Sequence, residues 1–530
     1  MRFSHLSTYP SRRSPVMARN VIATSQPLAS QAGMRMLLKG GNAMDAALAA
    51  AITLTVVEPT GNGLGSDAFS IVFDGNELHG LNASGRSPAK LDPTRFAGME
   101  KMPTRGWDSV SVPGVVAAWR DLSRRFGSLY FADLFEPAID YAEGGFPVSP
   151  IIAELWRKGA EELKDQPGFA ECFMPNGQAP RAGEIFTNKP LARSLRLIAE
   201  TEGEAFYNGE LAERIEAFAA KHGSPLAAAD LAAHRNDWCG TIAQALGPST
   251  LHEIPPNGQG IAALMALGIL DHLGIADTEA DSVDFFHLQL EAMKLAFADV
   301  DRYVADPAHM KMTPADLLGS DYLASRAKLV DRKRAQRFGA GAPTTGGTVC
   351  LAAADANGQM VSYIQSNYSG FGSGVVVPET GISLQNRGSG FSTEAGHPNE
   401  VAPNKRPFHT IIPGFIMGPD KPVMAFGLMG GPMQAQGHVQ MFLRTQIFDQ
   451  DPQTASDAPR WRVIKGLDVA LEPGVAPEVI ATLKERGHAV AQETSDAFFG
   501  FGGAQIVHAL PEGGYVAGSD SRKDGLATGY

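Results

Sequence analysis

The segment "SQAGMRMLLKGGNAMDAALAAAITLTVVEP" constrains folding more than any other part of this chain. It reads as two helices broken at Gly40 and Gly41, and the second is alanine-rich and almost wholly apolar, with no face suited to water. Such a helix must be buried, so other elements have to close around it. Downstream, "AFSIVFDGNELHGLNA" alternates on either side of Asp74-Gly75-Asn76, a hairpin signature. From about Val112 to about Val300 the pattern is mainly helical. There, "VDFFHLQLEAMKLAFADVDRY" places Phe286, Leu290, Met293 and Phe297 on one face, which is expected to be core. The piece "RAKLVDRKRAQRFGAGAPTTGG" reads as an exposed, mobile connection. After it, "VCLAAADANGQMVSYIQSN" reads as strand, turn at Asn357-Gly358, strand. Helices dominate before Thr348 and strands after it. No linker of domain-boundary character follows, so both parts are expected to share one core.

The formal charge of -12 leaves no basic surplus, which argues against a nucleic-acid partner and for a small molecule. No segment approaches 18 uncharged apolar residues, and "MRFSHLSTYPSRRSPVMARN" lacks an apolar export region, so no membrane partner and a cytoplasmic location are expected. Cys172, Cys239 and Cys350 have neither disulfide-framework nor metal-ligand spacing, and no metal or cofactor is expected. "GNGLGS" lacks the dinucleotide-binding spacing, and neither a G-x-S-x-G elbow nor H-E-x-x-H occurs.

Gly346 and Gly347 stand directly before Thr348, where strand formation asks for neither. A threonine hydroxyl is a poor nucleophile without a base, and one known solution uses the residue's own α-amine. That amine has a reference pKa of about 7.7–8.0 and is partly neutral at physiological pH. It exists only if the chain is cut between Gly347 and Thr348, and flexible glycines let the Thr348 hydroxyl bend back to the Gly347 carbonyl. On these residues alone, an ordinary β-branched strand residue after a loop is the competing reading.

Over nearly its whole length the chain resembles the gamma-glutamyltransferase family, including the branch of cephalosporin acylases and oxamate amidohydrolase. The resemblance is carried by "GGNAMDAALAAAITLTVVEPTGNGLGSDAF", "NASGRSPAKL", "EPAIDYAEGGFPVS", "GGTVCLAAADANGQMVSYIQSN", "GFGSGVVVPETGISLQNRG", "PNKRPFHT" and "GSDSRKDGLATGY". It implies an α+β fold, the N-terminal nucleophile αββα sandwich, formed jointly by both halves of a self-cleaved chain. The large subunit would be residues 1–347. Residues 348–530 would be the small subunit, beginning with the nucleophile Thr348. The implied partners are a small-molecule amide and the chain's own two subunits, with a homodimer of the processed pair left open.

Residue by residue, Gly430 and Gly431 match the glycine pair that holds the oxyanion, and Ser366 matches a threonine that hydrogen-bonds the nucleophile. Tyr368 falls where transferases carry an asparagine, with Asn367 one position early. The acidic position that holds the substrate ammonium falls on Gly390, and the preceding glutamine position on Arg387, whose fork favours a carboxylate. Ser84 occupies the usual arginine position, with Arg86 two residues later; Arg86 either reaches the substrate or forms a surface ion pair. The transferase serine pair becomes His409-Thr410, assigned to pocket shape or hydrogen bonding. "FSTEAGHPNEVAPNKRP" is too short for the lid loop of many transferases.

The reading is a self-processing amidohydrolase or acyltransferase that cleaves a γ-glutamyl or related acyl amide through a threonyl ester, mainly to water. A glutaryl or cephalosporin acylase, or an oxamate-type amidohydrolase, is the alternative. An unprocessed, non-catalytic metabolite binder is the further one. Cleavage before Thr348 predicts fragments of roughly 37 and 19 kDa on a denaturing gel, by share of length. Thr348→Ala is expected to give one intact band and no turnover.

Overall fold

In the computed structural model, which describes residues 13–338, 347–493 and 500–530, two seven-stranded sheets stack face to face between helical layers. Gly346 lies outside the described residues. One sheet runs Leu526–Gly529, Val21–Thr24, Gly347–Ala354, Met360–Tyr368, Asp67–Phe73, Leu78–Asn82 and Asp237–Trp238. The other runs Val16–Ala18, Tyr515–Ser519, Gly503–Ala509, Pro422–Met429, Pro413–Met417, Ser249–Glu253 and Ile242–Leu246. Both sheets interleave strands from either side of Thr348. The expected αββα sandwich with one shared core is therefore what the chain builds.

The side-chain alternation of the strands generates the layers. Along Gly347–Ala354, Val349, Leu351 and Ala353 face a helical core with Ala43–Val57, whereas Cys350, Ala352 and Ala354 face Phe415, Ala425 and Val507 of the opposite sheet. That inter-sheet layer is thin in places: a Cβ on Gly427 would stand 3.2 Å from the Cys350 Cβ. The third core packs Ile416, Met424, Phe426 and Leu428 against helices Gly260–His272, Val283–Tyr303 and Met433–Phe442.

Every residue of the helix Ala43–Val57 is buried, as its sequence requires. Its first N–H groups have no intrahelical partner and no water to turn to. Asn42 and Asp45 form a capping box, and two acceptors arrive from the other half of the chain. The Asp355 carboxylate accepts from Ala43 N and the Gln359 side chain from Met44 N, both at 2.8 Å. Asp355 and Gln359 belong to the turn around Asn357 and Gly358, where the predicted hairpin closes with Ala354 opposite Met360. The other predicted hairpin also forms, with Phe73 opposite Leu78.

Two expectations change. The stretch from Val112 to Val300 contains a further hairpin, Ile242–Leu246 with Ser249–Glu253, turning at Gly247, whose φ is +63°. Its outer strand is half exposed, so its alternation is weak. The connection ahead of Thr348 is also tied down through its described part. His287 donates to the Asp331 carbonyl, Gln336 N to Glu291, and Ala335 N to the Arg486 carbonyl. The described residues include no helix long and apolar enough to cross a membrane.

A buried ion network closes the C-terminal side. Arg460 reaches Asp520 at 2.5 Å, and Arg522 bridges Asp520 and Glu472. Burial opposes ionisation of Asp520, but the two guanidiniums hold its carboxyl well below the usual carboxylate range. Its stabilisation is present above the unfolded carboxylate pKa of about 4 and is lost as pH falls towards the lower folded value. Asp520→Asn leaves the buried Arg460 without its ion-pair partner, while Arg522 keeps Glu472, and is expected to cost about 3–5 kcal/mol, read as a lower urea midpoint at neutral pH.

Candidate active site

Thr348 is buried at the head of its strand, and a β-bulge decides what it meets. Gly347 pairs with Tyr368 and Val349 with Gln365, so Ser366 and Asn367 together oppose Thr348. Ser366 Oγ lies 3.1 Å from Thr348 Oγ1 and donates to the Gly347 carbonyl oxygen at 2.7 Å. The Tyr368 N–H donates to the same Ser366 oxygen at 2.7 Å. With the single Ser366 proton on the carbonyl, the Thr348 hydroxyl is the donor in the Thr348–Ser366 bond. One side chain thus holds the threonine hydroxyl and polarises the carbonyl before it. Glycine suits position 347: an added Cβ would stand 3.1 Å from the Thr60 carbonyl and 3.3 Å from the Gly370 backbone. Tyr368, at φ +78°, pays a steric cost for its place.

Gly430 and Gly431 follow the strand Pro422–Met429, at φ +115° and +60°, a region that favours glycine. Their carbonyls accept from Met433 N and Gln434 N at the start of the next helix. Because a trans peptide sets its N–H opposite its carbonyl, the Gly431 N–H points away from that helix. Gln259 locks the turn by donating to the carbonyls of Gly431 at 2.8 Å and Thr410 at 2.5 Å.

Thr410 leads to a buried charged cluster. Its hydroxyl accepts from Arg387 Nη1 at 2.8 Å, and the guanidinium lies 4.3 Å over the Tyr368 ring. Arg387 is fully buried, and its Nε and Nη2 have no hydrogen-bond partner among the described residues. Burial lowers the Arg387 pKa to about 10, with Asp67 acting against the fall. Asp67 opens the strand Asp67–Phe73 and is the cross-strand partner of Ser366. Its carboxylate accepts from His409 Nε2 at 3.1 Å. His409 Nδ1 accepts from Ile411 N, which fixes the Nε2–H tautomer, and burial together with Arg387 and Arg406 keeps the ring neutral.

The structure brings together Thr348, Ser366, Tyr368, Arg387, His409 and Thr410, with Gly431 tied to Thr410 through Gln259. Asn367 is held elsewhere, between Ser66 and Ser383. Arg86 is not joined to this cluster. It donates to Asp306 at 2.8 Å and to the Asn404 carbonyl, with its side chain 47% exposed, while Ser84 is buried against Asn82. The buried cation is Arg387 instead. At Gly390 an added Cβ would stand 2.5 Å from the Phe408 carbonyl, so an acid there requires the Phe408 backbone to move. Sequence reasoning missed Asp67 and Gln259. An acid heading the apolar run "DAFSIVF" was the available signal for Asp67; an uncharged glutamine in a turn gives none.

A separate buried trio, His287, Glu291 and His488, keeps its ligand-type atoms within 4.8 Å of one another. It lies in the helical layer beyond the second sheet, and its atoms are already engaged. His488 meets His287 at 2.8 Å, and the Lys294 ammonium donates to Glu291 at 2.7 Å and approaches His488 at 3.4 Å.

The family model described as Gamma-glutamyltranspeptidase matches residues 29–530. The chain is 36% identical over 527 residues to the glutathione hydrolase-like YwrD proenzyme of Bacillus subtilis (strain 168), covering 98% of this chain and 99% of that one. It is 37% identical over 534 residues, with the same coverage, to the oxamate amidohydrolase proenzyme of Klebsiella pneumoniae subsp. pneumoniae. The crystal structure of cephalosporin acylase from Bacillus halodurans superposes with a TM-score of 0.95 at 44% identity, over 100% of this chain and 99% of that one.

Removing a donor from a developing oxyanion commonly costs about 10²–10³ in rate. Ser366→Ala is expected to slow cutting at the Gly347–Thr348 bond by about that factor in a timed denaturing gel, with Ser366→Thr restoring it. Gly390→Asp is expected to lower the melting temperature without creating γ-glutamyl amide hydrolysis.

Proposed function

The chain belongs to the gamma-glutamyltranspeptidase family, and from that premise we propose a self-processing amidohydrolase of the acylase and oxamate amidohydrolase kind, acting on acyl amides whose acyl group carries a carboxylate. The family-level chemistry is amide hydrolysis and acyl transfer by an N-terminal nucleophile. Support for the branch lies with the acylase and oxamate amidohydrolase relatives rather than with γ-glutamyl transfer. The observation that carries the substrate class is Arg387, a fully buried guanidinium with two unused donors that lies over the ring of Tyr368, the residue whose N–H donates to Ser366. A planar fork of this kind matches a carboxylate. No acid at Gly390 is available for a substrate ammonium.

The chain is cut between Gly347 and Thr348, giving subunits 1–347 and 348–530. Thr348 Oγ1 attacks the Gly347 carbonyl, which Ser366 already polarises; the C–N bond breaks as the nitrogen takes up the hydroxyl proton, which frees the α-amine and leaves an ester on Oγ1, and water hydrolyses that ester to release the Gly347 carboxylate and the Thr348 hydroxyl. In turnover that amine takes the hydroxyl proton as Thr348 attacks the substrate amide. Gly430 and Gly431 turn backbone N–H groups to the oxyanion, the amine returns the proton to the leaving nitrogen, and water resolves the ester.

Side-by-side hydrolysis of oxamate, a glutaryl amide and a γ-glutamyl anilide by processed protein tests the reading. One of the two carboxylate-bearing acyl amides without an α-amine is expected to be cleaved best, and γ-glutamyl preference would refute the branch. Arg387→Met removes charge-assisted bonds of about 1.5–3 kcal/mol, so kcat/KM for the preferred amide is expected to fall about 10- to 100-fold.

A further inference from the structure

The buried cluster tied to Ser366 by strand pairing and through Tyr368 contains one group that neither the nucleophile nor the oxyanion turn uses. Asp67 is fully buried, on the strand next to Ser366, and its oxygens receive His409 Nε2 at 3.1 Å and Gly85 N at 3.3 Å. The charged or titratable groups that act on it or sense it are Arg387, Arg406, His409 and the Tyr207 phenol, with the Gly114 N–H as a further donor. Arg406 is already engaged with Asp237 and the Ser84 carbonyl. His409 has its tautomer fixed and its charge suppressed. That leaves Arg387 and Asp67 as a buried cation and its resident anion, and the cation still has two free donors.

We propose that Asp67 is a specificity-determining residue of the acyl site: it is the standing counter-ion of Arg387, and the Asp67–His409 pair takes up a proton when an acyl carboxylate occupies the unused Arg387 donors. The inference rests on the reading of Arg387 as a carboxylate receptor. Before binding, the cluster carries one cation and one anion. An incoming carboxylate forms two N–H···O bonds and adds a second anion next to the fully buried Arg387 and Asp67. Two buried anions on one cation are strongly unfavourable. A proton from solvent or buffer restores neutrality by forming an O–H bond on the pair, and no other bond breaks. Burial already raises the Asp67 pKa to about 7, with Arg387 opposing the rise, so the step is within reach near neutral pH. An acyl group without a carboxylate leaves Arg387 and Asp67 as they are and takes up no proton.

The test is calorimetric titration of processed wild-type protein with pyruvate, which has the shape and carboxylate of oxamate but no amide to cleave. Runs in phosphate and Tris count protons from the buffer dependence of the heat. Uptake of about one proton per pyruvate at pH 8 is expected, falling towards zero below pH 6, with the Kd rising about tenfold per pH unit above pH 8. In Asp67→Asn the uptake is expected to vanish and the Kd to lose its pH dependence. Pyruvate binding that needs Arg387 but takes up no proton between pH 6 and 9 in the wild type overturns the proposal. Uptake that persists in Asp67→Asn also overturns it. The wild-type count stands even if that variant fails to fold. If pyruvate binds equally to Arg387→Met, the receptor reading itself fails, and the proposal with it.

Discussion

The helix Ala43–Val57 has no polar face, and the acceptors for its first N–H groups come from a turn more than 300 residues away. Leaving those groups bare in an apolar layer would cost about 1–3 kcal/mol each. The hairpin of Gly347–Ala354 and Met360–Tyr368 must therefore lie along this helix with its turn at the helix start. Once it does, the opposite end of the hairpin, where Thr348 and Ser366 stand, is fixed relative to the core around that helix. The two parts of the chain fold as one body because each supplies what the other lacks: one an enclosed helix, the other its cap and its covering sheet.

A single slip in strand pairing turns this scaffold into a site. Regular pairing through to Tyr368 would set one residue opposite Thr348. The bulge sets two, so that Ser366 holds the threonine hydroxyl while Asn367 is spent on Ser66 and Ser383. The left-handed Tyr368 that ends the bulge presents its ring beneath Arg387. The contacts of Thr348 and the Arg387 cluster are thus coupled through three consecutive residues.

The Arg387 cluster also shows how charge is managed among fully buried groups. Arg387 is kept in a buried position by Asp67, Thr410 and an aromatic face, with part of its donor capacity unused. Arg86, by contrast, meets Asp306 half exposed, where a pair contributes about 0–1 kcal/mol. The two arginines differ in their surroundings: one is enclosed with donors unused, the other half exposed and paired.

Periodicity and composition alone determined the enclosed helix, both predicted hairpins and the Phe286–Phe297 stripe, because burial and turn chemistry are local properties of a sequence. Family resemblance marked Thr348, Ser366, Gly430, Gly431 and Arg387, since those positions sit inside motifs. The hairpin at 242–253, half exposed and weakly alternating, left too faint a pattern to find. Only the tertiary structure decided that Asp67 faces His409 and Arg387, that Gln259 ties Thr410 to Gly431, and that Arg86 goes to Asp306. Those pairings join residues far apart in the chain, and their partners are set by sheet register and by the bulge, which no run of neighbouring residues encodes.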